Sequence, residues 1–130
     1  MVDQHLQTIG ALRLDYYIKA INTVVEKEDV SEIIVFTDDP NHPDIEALRS
    51  EFNCFVQSED WSSDFFGIMN CEFQVISNST FSWWAAFLSS GLDSKKVWAP
   101  DPFWIRGIHN NEDEIVPKGW NHIESVWYEK

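Results

Sequence analysis

The chain is poor in the residues that mark secreted, membrane-bound or nucleic-acid-binding proteins. Only 2 of its 130 residues are cysteine, too few for a disulfide framework. Cys54 and Cys71 each sit beside apolar residues, so both are expected to be reduced, buried thiols in a cytosolic protein. No apolar run approaches the length of a spanning helix, and Met1 is not followed by a basic and then apolar signal segment. A soluble, cytoplasmic protein without a membrane span is the expectation. Basic residues are scarce, with 9 Lys and Arg against 22 Asp and Glu and a formal net charge of -13. A surface of that sign excludes non-specific binding to nucleic acid and docking on an anionic membrane. Glycine numbers only 5, and neither Gly-x-Gly-x-x-Gly nor a Walker loop occurs. The two best-known glycine-rich phosphate cradles are therefore absent. His5, His42 and His122 are scattered and match no metal-ligand spacing. No Ser-His-Asp or Cys-His arrangement is recognisable.

What is present is a globular composition, 44% hydrophobic and 15% aromatic with 7 Trp, in a chain long enough for one core but not two. Helix and strand signals alternate. After a lead-in over residues 1–12, Tyr17, Ala20, Ile21, Val24 and Val25 space out a helical stripe with Asp15 as its cap. Glu32 to Phe36 is a continuously apolar, β-branched run, the mark of a strand covered on both faces. A helix over Ile45 to Phe52, a strand at Cys54 to Val56 and a helix opened by Asp64 and running to Met69 follow. Phe73 to Ile76 reads as a buried third strand, Phe81 to Leu88 as a helix stopped near Gly91, and Lys96 to Ala99 as a fourth strand closed by Pro100. Residues 105–130 read as an irregular tail, with one last helix from Asn121. This alternation predicts right-handed crossovers and a Rossmann-like α/β domain over residues 1–130: a parallel sheet of four or more strands with helices on both faces. Ligands of such sheets gather beyond the carboxyl ends of the strands.

Two turns at those ends are chemically distinctive. Asn78, Ser79, Thr80, Phe81 and Ser82 lie where a strand hands over to a helix, and four of them carry a hydroxyl or amide. Unpaired N–H groups and the helix dipole make such a place attractive to a phosphate, and small hydroxyl residues add donors without blocking the backbone. Plain helix capping by Asn78 or Ser79 explains the same residues. Asn78-Ser79-Thr80 also matches a glycosylation acceptor, which the absence of secretion signals discounts. At the first strand's end, Asp38 and Asp39 are placed to hold a sugar hydroxyl, act as a base or bind a metal, and a local Asp-Pro turn accounts for them equally. Asp64 is explained by capping, although a carboxylate fixed there can accept two N–H bonds from a guanine edge. His109, Glu112, Asp113 and Glu114 read as a solvated loop before a metal site. Trp83-Trp84 offers a ring to stack, with at least one of the two facing the core.

Val75 to Leu88, and above all Asn78-Ser79-Thr80-Phe81-Ser82-Trp83-Trp84, resembles the Asn-Ser-(Ser/Thr)-Phe-Ser-Trp-Trp block of bacterial α-1,2-fucosyltransferases, glycosyltransferase family eleven. Leu14-Asp15-Tyr16-Tyr17 is similar to that family's Leu-Asp-Tyr-Tyr helix, and Phe36-Thr37-Asp38-Asp39-Pro40 to its Phe-Ser-Asp-Asp turn. Asp64 to Cys71 resembles its Asp-x-x-x-Met-x-x-Cys-like helix, and Val97 to Pro100 with Phe103-Trp104 its closing strand and Pro-x-x-Trp segment. The likeness runs from about residue 12 to residue 105. It implies the C-terminal, nucleotide-facing half of a two-domain GT-B-like enzyme that moves fucose from GDP-fucose to a galactoside-type glycan without a metal or other cofactor. It further implies that Ser79, Thr80 and the N–H groups near Phe81 hold the diphosphate, with Asn78 and Ser82 in the same turn. Asp64 would read guanine, and Asp38 or Asp39 would face the donor.

The family's His-x-Arg-x-Gly-Asp-Tyr motif, whose arginine clamps the β-phosphate, does not occur in these 130 residues. Such an arginine carries the main electrostatic task of the transfer. The expectation is half an enzyme, inactive alone, that meets a missing N-terminal half or forms a homodimer through exposed tail tryptophans, Trp98, Trp104, Trp120 and Trp127. A non-catalytic nucleotide-sugar or interaction module on the same fold is the alternative. A response-regulator receiver fits poorly, because the third strand ends in Ser77-Asn78 and Lys95-Lys96 precede their strand.

Overall fold

A computed structural model describes residues 12–103 and 115–127. The order of elements is α1 (Leu14–Lys27), β1 (Ile33–Phe36), α2 (Pro43–Glu51), β2 (Cys54–Gln57), α3 (Trp61–Met69), β3 (Gln74–Val75), α4 (Thr80–Ser90), β4 (Val97–Asp101) and β5 (Asn121–Glu124). All the strand pairings between these elements are parallel, so the α/β architecture with helical crossovers expected from the alternation is present. The strands divide into two ladders, β1-β2 and β3-β4-β5.

The three-stranded ladder carries the core on both faces, because side chains alternate along a strand. On one face, Ile76, Val97 and Ala99 pack with Ala86 of α4, Phe103, Val116 and Trp120. On the other, Trp98 and Ile123 pack with Tyr16, Ala20 and Val24 of α1. Tyr16 is fully buried, and its hydroxyl donates to the Ile76 carbonyl at 2.6 Å. Trp83 donates its indole N–H to the Ile115 carbonyl at 2.5 Å, and Trp120 does so to the Gly91 carbonyl at 2.8 Å. These bonds satisfy the polar tips of rings whose bodies are buried.

Several local expectations are corrected. The segment from Asn121 is a strand, not a helix: Asn121 donates to the Lys95 and Val97 carbonyls, Trp98 to Asp101 pair with Asn121 to Glu124, and only Ile123 of the four turns fully inward. Pro100 does not close β4, which runs on to Asp101. The Trp98 carbonyl accepts from Ile76 N–H on the β3 side, and Pro100, two residues on, has its nitrogen on that same side. There β3 has already ended, so the missing N–H breaks no ladder bond. Asp15 is not the cap of α1; Arg13 holds that position without a side-chain capping hydrogen bond, while its backbone N–H donates to the Val126 carbonyl beside the Leu12–Trp127 bridge. Docking of the tail sets that helix start. Asp64 does not open α3, which begins at Trp61 with Asp60 as cap. β1 is half-buried throughout, as are Phe73 and Val75, because β1 lies in a ladder of two with β2 alone beside it. Cys54 and Cys71 are free and half-buried. Trp98 and Trp120 are core residues at 2% and 1% exposure, and Trp127 packs half-buried on the core, so they offer no exposed tail surface. Trp104, the lead-in before Leu12 and the cluster His109, Glu112, Asp113 and Glu114 lie outside the described residues. Among the described residues no helix is long and apolar enough to cross a membrane.

Two measurements test this packing. A Cβ on Gly119 would sit 2.5 Å from Asp93 Cα and 2.7 Å from the Leu92 carbonyl oxygen. Backbone cannot swing aside as a side chain can, so Gly119→Ala is expected to lower stability by about 1–3 kcal/mol in urea denaturation. Tyr16→Phe leaves the Ile76 carbonyl unpaired at a cost of about 1–3 kcal/mol. Burial, reinforced by Tyr17, holds the Tyr16 hydroxyl well above its usual pKa. The folded state therefore keeps a proton that the unfolded chain releases. Its stabilising effect is complete below about pH 10 and lost as pH rises further. Denaturation midpoints measured across that range should fall more steeply in the wild type than in Tyr16→Phe.

Candidate functional site

The turn after β3 is built from hydroxyl groups. Ser79 caps α4, its Oγ accepting from Ser82 N–H at 3.1 Å. Ser82, buried in the first turn, has its Oγ 3.2 Å from those of both Ser77 and Ser79 and donates toward the Ser77 and Ser79 carbonyls. Asn78 is buried at 8% exposure. The hydroxyls of Ser77, Ser79 and Ser82 thus hold one another and the backbone. Thr80 differs: it is exposed at the first helical position and makes no side-chain hydrogen bond among the described residues. The outward-facing donors of this turn are the Thr80 hydroxyl and the first N–H groups of α4, at the positive end of the helix.

Asp64 is buried at 8% exposure within α3. Its Oδ1 accepts from Gln57 Nε2 at 3.0 Å and from Glu59 N–H at 3.2 Å, and Oδ2 lies 3.3 Å from the same N–H. The carboxylate thereby ties the end of β2 to α3 and keeps lone pairs on Oδ2 for a further donor. Asp60 holds the helix start from outside. Hydrogen bonds from the Ser63 side chain and backbone N–H keep its carboxyl below the usual aspartate range. Gln57 and Glu59 also border an open depression of about 510 Å³ that reaches to Ile34 and Phe55.

These two turns are neighbours. α3 and α4 pack side by side, and Phe65, next to Asp64, meets the Phe81 ring edge-on at 5.2 Å between centroids. Trp61 stands 72% exposed at the head of α3. Trp83 and Trp84 separate as their spacing requires, the first half-buried on the core and the second 50% exposed. Asp38 and Asp39 follow Thr37, whose N–H donates to the Gln57 carbonyl at 3.1 Å, so their turn lies beside the end of β2. Both are exposed in a turn held by Asp39 N–H donating to Thr37 Oγ1 at 3.0 Å and His42 N–H donating to the Asp39 carbonyl. No hydrogen bond or ion pair among the described residues links them to Asp64 or to the Ser79 turn.

No Lys or Arg occurs in the segments 37–40, 57–61 or 77–82. Among the described residues no group of three His, Cys, Asp or Glu side chains is placed to hold a metal ion. Burial pushes both cysteine thiols up in pKa, against a small opposing effect of Arg49 on Cys54, so neither is poised as a thiolate. Sequence reasoning missed Gln57, whose amide orients Asp64, and Asp60, whose place three residues before Ser63 is an ordinary capping spacing. It also missed the role of Ser77, for which a four-residue-wide capping window carries no signal.

Residues 7–124 match the family described as Glycosyl transferase family 11. The chain is 32% identical over 118 residues to an O-antigen biosynthesis glycosyltransferase, WbnK, of Escherichia coli, covering 88% of this chain and 37% of that protein. It is 30% identical over 113 residues to an alpha-1,2-colitosyltransferase of Escherichia coli, covering 84% of this chain and 38% of the relative. The chain thus spans well under half the length of these curated relatives. No solved structure matches it.

The hydroxyl network predicts a separation between capping and side-chain charge. Ser79→Ala is expected to lose about 1 kcal/mol of stability, while Ser79→Asp keeps it, since both serine and aspartate cap well. Thermal or urea unfolding of the two variants measures the difference.

Proposed function

The chain belongs to glycosyl transferase family 11, and from that premise we propose that it is the donor-nucleotide-binding part of a fucosyltransferase. On this reading it corresponds to the C-terminal half of a two-domain GT-B-like enzyme, acting in the cytoplasm and carrying fucose from GDP-fucose to a galactoside-type glycan in α-1,2 linkage. The observation that carries the proposal is the turn Asn78 to Ser82, whose hydroxyls are internally braced while Thr80 and the α4 N–H groups face outward. A diphosphate placed there meets neutral donors and a helix dipole. Asp64, held by Gln57 one helix away, supplies the carboxylate for the guanine edge. Asp38 and Asp39, exposed and unbonded by their side chains, are available to the donor sugar or the acceptor. No metal takes part. The partners are a nucleotide sugar, a glycan acceptor and either further polypeptide or a second copy of the chain.

The similarity to a protein named as an alpha-1,2-colitosyltransferase makes colitose the competing donor sugar. The turns described address base and diphosphate, so both sugars are compatible with them. A non-catalytic nucleotide-sugar-binding module is the second reading, favoured by the lack of any Lys or Arg in the three turns. A leaving diphosphate needs positive charge that these turns do not supply.

Titration with GDP, GDP-fucose, UDP and ADP, followed by amide-shift NMR, tests donor binding. GDP should bind weakly, with a Kd on the order of 0.1–1 mM, moving signals at Ser79, Thr80 and Asp64. Thr80→Ala should weaken it by about 1 kcal/mol, roughly fivefold. Ser79→Asp should abolish it without loss of stability, because a fixed carboxylate then occupies the anion's place. Asp64→Asn retains an acceptor for Gln57 but should erase the preference for GDP over ADP. Millimolar GDP that leaves these signals unmoved would show the family's fold without its donor site.

A further inference from the structure

We propose that the outward face of α3 and α4 is a self-association surface on which a second copy of this chain docks. The inference does not depend on the donor reading. Phe81, Trp84 and Leu88 fall at i, i+3 and i+7 along α4, so they share one side of the helix. They are 37%, 50% and 58% exposed. Phe81 touches Phe65 at 5.2 Å, Phe65 touches Phe66 at 6.0 Å, and Phe66 is 59% exposed. These contacts join the two helices' exposed rings into one continuous patch. Scattered surface hydrophobes need no explanation, but a contiguous aromatic patch does.

The occupant follows from charge and area. α3 and α4 together contain one ionisable residue, Asp64, and it is buried. The rest of the chain brings the formal net charge to -13. Two copies that meet through these helices bring no charged side chain of α3 or α4 into the contact, and the acidic Glu59 and Asp60 lie at its end, before Trp61. A basic partner would be drawn to the acidic faces instead. The surface that matches an uncharged aromatic stripe is the same stripe on a second molecule. A twofold axis near Trp84 would lay the helices antiparallel, Trp84 on Trp84 and Phe81 on Leu88. With about 150–250 Å² in each aromatic side chain, the exposed fractions leave roughly 400 Å² of apolar area. That is about the apolar share of the ~800 Å² that each partner gives to a standard interface. The match is at the minimum, so the dimer is a weak one.

Sedimentation equilibrium of the full chain from about 5 to 500 μM tests the proposal. A monomer–dimer equilibrium with a Kd of tens to hundreds of micromolar is expected. Leu88→Glu and, separately, Trp84→Glu should each raise that Kd at least tenfold. Val25→Glu, which adds the same charge at a 44% exposed site on α1, should leave it within twofold. Raising salt from about 50 to 500 mM should tighten wild-type association, since it screens the repulsion between two acidic bodies and no ion pair spans the interface. That readout needs no variant. A monomer mass throughout, a dimer indifferent to both helix variants, or association that weakens with salt would each overturn the assignment.

Discussion

The Tyr16 hydroxyl ties together the two sides of the three-stranded ladder. Its ring is buried among α1, Trp98 and Ile123, yet its proton goes to the Ile76 carbonyl, whose side chain packs on the opposite face with α4. β3 is only two residues long, and Ile76 N–H spends its own bond on the Trp98 carbonyl. Without Tyr16 the strand would leave a bare acceptor in the core at the very residue that precedes Ser77. A buried unpaired carbonyl is expensive, so one bond from a helix sixty residues earlier joins the Gln74 and Ile76 ladder bonds in holding the end of β3. The Ser79 turn can be built from polar side chains because its base is held in this way.

That turn solves the problem of a tight strand-to-helix exit without glycine. Glycine-rich cradles let an anion approach by removing side chains. Here the small side chains stay and are turned inward, with Ser77, Ser79 and Ser82 bonding to one another and to the carbonyls of Ser77 and Ser79. The consequence is a first turn in which the cap takes the Ser82 N–H, while the N–H groups of Thr80 and Phe81 have no intrahelical partner. The same economy appears at Asp64, which is buried with Oδ1 held by Gln57 and Glu59 while Oδ2 keeps acceptor capacity.

The position of α1 was legible because Ala20 and Val24 of its apolar stripe do face the core, although Tyr16 is the buried tyrosine and Val25 is exposed. α3 and α4 were legible from apolar content alone, since α3 buries only Asp64 and α4 leaves Phe81, Trp84 and Leu88 exposed. Parallel architecture was legible because continuous β-branched runs alternate with those helices. The losses have specific causes. β5 is four residues long with a single inward side chain, Ile123, so its period cannot be told from that of a short helix. Pro100 ends a strand only where its nitrogen would meet a neighbour, and that depends on where β3 stops. Trp98 and Trp120 looked like tail residues seeking a partner, but an aromatic count does not say which side of a sheet a ring faces. At the site, the residues of the Asn78 to Ser82 turn were visible as a polar block. Their internal bonding was not, because capping and anion binding use the same residue types.

Electrostatics constrain what the two turns can do by themselves. A nucleoside diphosphate brings further negative charge to a chain already at -13. The segments that would receive it contain neither Lys nor Arg, so attraction there comes from neutral donors and the partial charge of one helix end. Those act within a few ångströms, while the net charge of the chain acts over a Debye length of about 10 Å at 0.1 M salt. Long-range repulsion therefore opposes approach, and short-range hydrogen bonding rewards only a ligand already in place. On the proposed reading, the turn would select by shape and donor pattern and hold a diphosphate only weakly. Positive charge brought to this edge would change the balance most, converting a selective surface into one able to stabilise a departing diphosphate. The helices that form the edge, α3 and α4, are also the least charged part of the described surface. A second body that approaches over them meets no charged side chain of either helix, the one carboxylate there, Asp64, being buried.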